Sequence, residues 1–201
     1  MFAVVQNGEF RQVIQPDTAF MVGDKQYSAR FLRNATEEER KAAGVYEIIY
    51  EEQKDQRFYW VDGPHYTVNQ ANQTVYAAYN STAKELEDRL ETKEDGTPLY
   101  VQVYNPTTQQ MEDTTEQVVT KGLKSNWIAQ VKQTAGSLLA QTDWMVIRKA
   151  ERNVDIPASV VTKRAAIVSE CDRLEAAITA TQNVGQLMTV VMNQQWPNDR
   201  S

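Results

Sequence analysis

The sequence predicts an α+β fold: a small antiparallel β-rich N-terminal part with one inserted helix, followed by a C-terminal helical hairpin or three-helix bundle. Three observations carry that expectation. Up to about residue 80, β-branched and aromatic runs alternate with turn residues. A Thr-x-x-Glu helix start lies among those runs. After residue 118, apolar residues recur at spacings of three and four, the period of a helix with one buried stripe.

The N-terminal elements follow in order. Phe2 and Val4 lead into the Gln6-Asn7-Gly8 turn, and residues 10–14 return as the second strand of a hairpin. Thr36 and Glu39 have capping-box spacing, and Gly44 supplies a stop for that helix. Residues 45–50, 57–61, 65–68 and 74–79 read as strands. Asp62-Gly63-Pro64 and residues 69–72 supply turn chemistry between them, which predicts an antiparallel meander.

From Ser81 the character changes. Residues 84–93 are charge-dense and read as helical, until Asp95-Gly96-Thr97-Pro98 breaks them. Residues 99–104, the turn at 105–108 and residues 109–113 read as a short, mostly polar hairpin with little core of its own. Val119, Leu123, Trp127, Val131, Ala135 and Leu138 mark one helix. Val160, Ile167, Cys171, Leu174 and Ile178 mark a second, with Pro157 near its first turn. Asn183 and Gly185 interrupt the pattern, and Leu187, Met188 and Val191 form a third before Trp196-Pro197. The expected organisation is a β-rich domain over 1–83, a charged helix and projecting hairpin over 84–117, and a helical domain over 118–201.

Composition narrows the function. With 41% hydrophobic and 24% charged residues the chain has the balance of a folded protein rather than a disordered one. Twenty-seven acidic against 21 basic residues give a net charge of −6 with no dense basic cluster, so nucleic acid is not expected as a partner. The opening residues lack a secretory leader and no apolar run approaches a membrane span, so neither export by a standard signal nor membrane insertion is expected. Cys171 is the only cysteine, which forbids an intramolecular disulfide and fits a reducing compartment.

Catalytic chemistry finds little to work with. His65 is the only histidine, so any Ser-His-Asp or Cys-His arrangement rests on that one residue meeting Cys171 or a serine. One Cys and one His cannot supply a structural zinc site, and no calcium or phosphate loop is present, so neither a metal nor a cofactor is expected. The acidic pairs Glu51-Glu52, Glu94-Asp95 and Glu112-Asp113 fit solvated faces better than a glycosidase's two carboxylates.

Binding is where the sequence is rich. Aromatics crowd the predicted meander, and Phe58 with Trp60 is expected to share one face against a helix. Outward tyrosines suit a protein interface, where Tyr and Trp are enriched. The candidate partner-binding residues are Tyr59, Tyr66, Tyr76, Tyr79, Tyr100, Tyr104, Trp144 and Trp196. Polar edge strands offer a second route, by accepting a strand from another chain. Trp144 also suits a corner plug beneath a helix start capped by Asp143.

Leu138-Leu139-Ala140, Thr142-Asp143-Trp144, the run from Val146 to Glu151, Ile156-Pro157, Arg164 and the closing Trp196-Pro197 resemble the C-terminal segment of phage tail-fibre assembly proteins and related tail accessory proteins. Phe2-Ala3-Val4-Val5 with Asn7-Gly8 is similar more weakly. Lys163 and Gln141 depart from the aromatic and the proline usual in that family. The resemblance implies a non-enzymatic protein that associates with tail-fibre or other tail polypeptides, either helping them fold and trimerise or remaining on the particle. The expected function is a virion-associated accessory bound to tail-fibre or baseplate protein in several copies, with a homo-oligomer as a further candidate assembly. It would act in the host cytoplasm during assembly and stay afterwards on the virion tail. Alternatives are an assembly chaperone absent from the mature virion and a small hydrolase acting on host-surface polymer.

Overall fold

The computed structural model describes residues 1–15 and 17–197. The chain is a mixed α/β protein that divides into two compact units, residues 1–82 and 83 onward. The first is built on a five-stranded sheet in the order β2-β1-β5-β7-β6. Its strands are β1 (Phe2–Gln6), β2 (Glu9–Ile14), β5 (Val45–Tyr50), β6 (Tyr59–Asn69) and β7 (Thr74–Ala83). The short hairpin of β3 (Phe20–Val22) and β4 (Lys25–Tyr27), then α1 (Phe31–Asn34) and α2 (Glu37–Ala42), lies between β2 and β5.

Strand alternation gives this sheet two apolar faces. Ala3, Val5, Tyr46, Ile48, Val75 and Ala77 form one buried cluster, against which Phe10, Val13, Tyr66 and Val68 pack. Val4, Ile14, Phe20 and Val45 form the other, with Tyr27, Phe31 and Leu32 against it. Phe10 of β2 stacks on Tyr66 of β6 with ring centroids 4.2 Å apart, so the two edge strands curl toward each other and the sheet nearly closes. The capping box forms: Glu39 N–H donates to Thr36 Oγ1 at 3.2 Å, and Thr36 N–H donates to Glu39 Oε2 at 2.8 Å.

The meander does not form. β5 and β7 pair in parallel, with Ile48 opposite Val75. Residues 57–61 and 65–68 belong largely to one strand, because β6 runs straight through Asp62-Gly63-Pro64. The half-buried positions change phase there, from Tyr59 and Val61 to Pro64, Tyr66 and Val68. Gly63 sits at this phase change with φ +121°, a backbone that glycine adopts without strain. Phe58 lies in the turn before β6, fully buried, whereas Trp60 on the strand is exposed, so the two do not share a face.

The second unit contains β8 (Arg89–Leu90), β9 (Tyr100–Asn105), β10 (Gln110–Gln117) and β11 (Val119–Thr120). Its helices are α3 (Leu123–Ala140), α4 (Asp143–Arg152), α5 (Ala158–Ala180) and α6 (Val184–Met192). Among the described residues there are four helices where three were expected, and Val119 stands on β11 rather than on the first of them. Leu123, Trp127, Val131 and Ala135 of α3 are buried, as are Ile167, Leu174 and Ile178 of α5 and Val184, Leu187 and Val191 of α6. Each such aliphatic side chain contributes about 1.5–3 kcal/mol by leaving water.

Residues 84–93 are not helical. Their backbone is taken up by the start of α3: Leu123 N–H donates to Glu85 O at 2.9 Å and Lys124 N–H to Leu86 O at 3.0 Å. Asp88 accepts from Gly122 N–H at 2.8 Å and pairs with Lys121 at 3.0 Å. These contacts satisfy amides that a helix cannot satisfy itself, and α3 has no side-chain cap of its own. Hydrogen bonding by Ser125, then by the Gly122 amide and Lys121, holds the Asp88 carboxyl down at about 2. Gly122 is required by close approach, because a Cβ there would sit 2.3 Å from Glu87 O.

Candidate functional site

The helical unit centres on a corner. α3 ends at Ala140, and Thr142 precedes α4. Arg164, one turn into the half-buried part of α5, reaches that corner with Nη1: it donates to Leu139 O at 2.8 Å and to Thr142 Oγ1 at 2.7 Å, and lies 2.9 Å from Asp143 Oδ1. The two hydrogens of this one nitrogen serve the helix-end carbonyl and the hydroxyl, while its charge lies against the carboxylate. Asp143 is therefore the first residue of α4 and an ion-pair partner, and does not act as its cap. At the far end Asn153 adopts φ +54°, and Lys149 pairs with Asp155 across the exit.

The helix held at this corner buries none of its residues. Trp144 is 52% exposed and Ile147, one turn on, is 55% exposed, with Val146 exposed beside them. The Arg148 guanidinium covers the Trp144 ring at 4.9 Å, a cation–π contact that leaves the ring edge and Ile147 open. Trp144 is consequently no plug beneath the turn. Val154, before α5, and Val161 and Val168 on it are exposed as well. Leu139, Arg164, Ala165, Val168, Ser169 and Asp172 line an open groove of about 480 Å³ beside it.

Other candidate residues are placed differently. Tyr66 is half-buried in its stack with Phe10. Tyr79 lies near Tyr50, whose hydroxyl is pushed above its ordinary range by burial first and then by Tyr66 and Tyr79. Tyr59 is half-buried with Lys54 over its ring at 5.7 Å, while Tyr76 is exposed on β7. On the β9–β10 hairpin, Tyr100 is half-buried, and Tyr104 stands exposed opposite exposed Met111. Trp196 is half-buried and its Nε1–H donates to Gln194 Oε1 at 2.6 Å. That tail is held by buried Glu170, which accepts from Gln195 N–H at 2.6 Å and from Arg173 through both oxygens at 2.7 Å. Sequence reading singled out Trp144, yet missed Ile147, Val161 and Val168; the spacing of seven between the two valines was the available signal.

The histidine side chain is exposed. His65 Nε2 lies 3.0 Å from Asp62 Oδ2, and both side chains are exposed. Burial first, then Asp172 and Glu175, pushes the Cys171 thiol up, which keeps it protonated and weakly nucleophilic at neutral pH. Among the described residues no group of three or more His, Cys, Asp or Glu is placed to hold a metal ion, and no helix is long and apolar enough to cross a membrane.

Comparison of the chain with family models, with curated proteins and with solved structures finds no match, so the reading of this site rests on its own geometry.

Proposed function

We propose that this chain is a non-enzymatic accessory protein of a bacteriophage tail, which docks on a tail-fibre or baseplate polypeptide through the apolar face of α4 and stays on the particle. One observation carries the reading. α4 is a helix with no buried residue and an exposed tryptophan and isoleucine one turn apart, yet it is fixed at its start by a three-way arginine contact. A free amphipathic helix of ten residues is marginal in water. Anchoring it in advance lowers the ordering cost of binding and presents a rigid aromatic anchor, the residue type that dominates interface energetics.

The tail assignment draws its support from the resemblance. Leu139, Thr142, Asp143 and Arg164, four of the residues that carry it, are the ones that converge at this corner. Mass spectrometry of purified virions tests the proposal, with the chain expected at fixed stoichiometry to a fibre or baseplate protein. A chain abundant in infected cells and missing from particles would sink the retained reading and leave a transient assembly factor.

A further inference from the structure

α5 carries two apolar seams, of which the folded chain uses one. The first, Ile167, Cys171, Leu174 and Ile178, alternates spacings of four, three and four and faces the interior. The second, Ala158, Val161, Ala165, Val168 and Asp172, alternates three, four, three and four, and all five side chains are exposed, Val161 at 51% and Val168 at 47%. At 100° per residue it lies about a third of a turn round the helix from the first. A sustained three-and-four seam is the pattern by which one helix receives another.

We infer that the second seam pairs with the same seam of a second copy of this chain, antiparallel about a two-fold axis at Ala165. Self-complementarity names the occupant. With Ala165 on the axis, Val161 of one copy lies beside Val168 and Ser169 of the other, and the small Ala165 pair permits close approach of the two helices. The ends match in charge. Asp172 of each copy falls beside Ala158 of the other, in the first turn of α5. That turn has no side-chain cap and no acidic residue, and Asp172 makes no ion pair within its own chain among the described residues. An acid from the second copy therefore meets the positive end of an uncapped helix dipole at both ends of the interface. Val168 and Asp172 also line the open groove, which the second helix would fill. This pairing does not depend on the tail assignment.

Sedimentation equilibrium and directed cross-linking test it. The full chain is expected to move from monomer toward twice its 22.9 kDa mass with rising concentration, and Val168→Glu to remain monomeric with unchanged circular dichroism. In a Cys171→Ser background, Ala165→Cys should form a disulfide-linked dimer under mild oxidation. Ser159→Cys, whose two copies would be about 18 Å apart along the axis, should not. A wild type that stays monomeric to its solubility limit overturns the inference. So does a dimer that survives Val168→Glu, or cross-linking of Ser159→Cys equal to that of Ala165→Cys. Each of these results leaves the tail-binding proposal standing, because that one is read from virion content.

Discussion

The N-terminal sheet and the C-terminal helices treat their aromatic residues in opposite ways. In the sheet, Phe10 stacks on Tyr66, and Phe20, Tyr27 and Phe31 meet one another beneath the β3–β4 hairpin. In the helical unit Trp127 is buried, whereas Trp144, on a helix without a single buried residue, is left out in water. The sheet curls on itself and meets most of its own apolar demand, although Trp60 and Tyr76 remain exposed. The helices meet theirs along one seam and leave α4 and the outer side of α5 uncovered. Under the proposed function, stability and recognition are separated along the chain: residues that hold the helical unit together are not those proposed to face a partner.

That separation is broken most directly by mutation. Leu174→Ala removes a fully buried side chain and is expected to cost about 2–5 kcal/mol, while Trp144→Ala should stay within about 0.5 kcal/mol; urea melts compare them. Equal losses would mean that α4 is part of the core. Next in size is Arg164→Ala, expected to cost about 1–2 kcal/mol, because Leu139 O, Thr142 Oγ1 and Asp143 lose one shared partner. Its mark would be faster amide exchange at the α3–α4 corner, with Arg164→Lys restoring only part.

Asp88 sharpens the same point through pH. Its folded carboxyl, at about 2, lies below the ordinary unfolded value of about 3.9. The stabilisation is therefore fully present above about pH 4 and is lost as pH falls toward 2. Melting temperature should drop across that window in the wild type and drop less steeply in Asp88→Asn. Equal slopes would remove Asp88 from the account of how α3 is capped. A smaller loss than that of Leu174→Ala is expected of Thr36→Ala, which deletes the capping box of α2 and should cost about 1 kcal/mol, read from chemical denaturation.

What was legible in the sequence was what local spacing controls. The cadence of Leu123, Trp127, Val131 and Ala135 marked a buried helix face, and Thr36 with Glu39 marked a helix start that forms atom for atom. Long-range competition was not legible. Residues 84–93 have helical composition, but the carbonyls of Glu85 and Leu86 and the carboxylate of Asp88 serve the amides of α3 instead. Asp62-Gly63-Pro64 has the chemistry of a turn, yet β6 continues through it because β7 lies alongside, a partner that no local window contains. At the candidate site, the sequence places Trp144 at a helix boundary. The side it faces is set by Arg164, twenty positions later, and only the folded chain brings the two ends together.

The most direct test of the separation between holding and docking is affinity capture from infected cells with three forms of the full chain: wild type, Trp144→Ala/Ile147→Ser, and Tyr104→Ala/Met111→Ala on the hairpin. All three should melt alike. The wild type and the hairpin variant are expected to bring down the same tail polypeptide, while the α4 variant loses it. Retention of that polypeptide by the α4 variant, with loss in the hairpin variant, would contradict it.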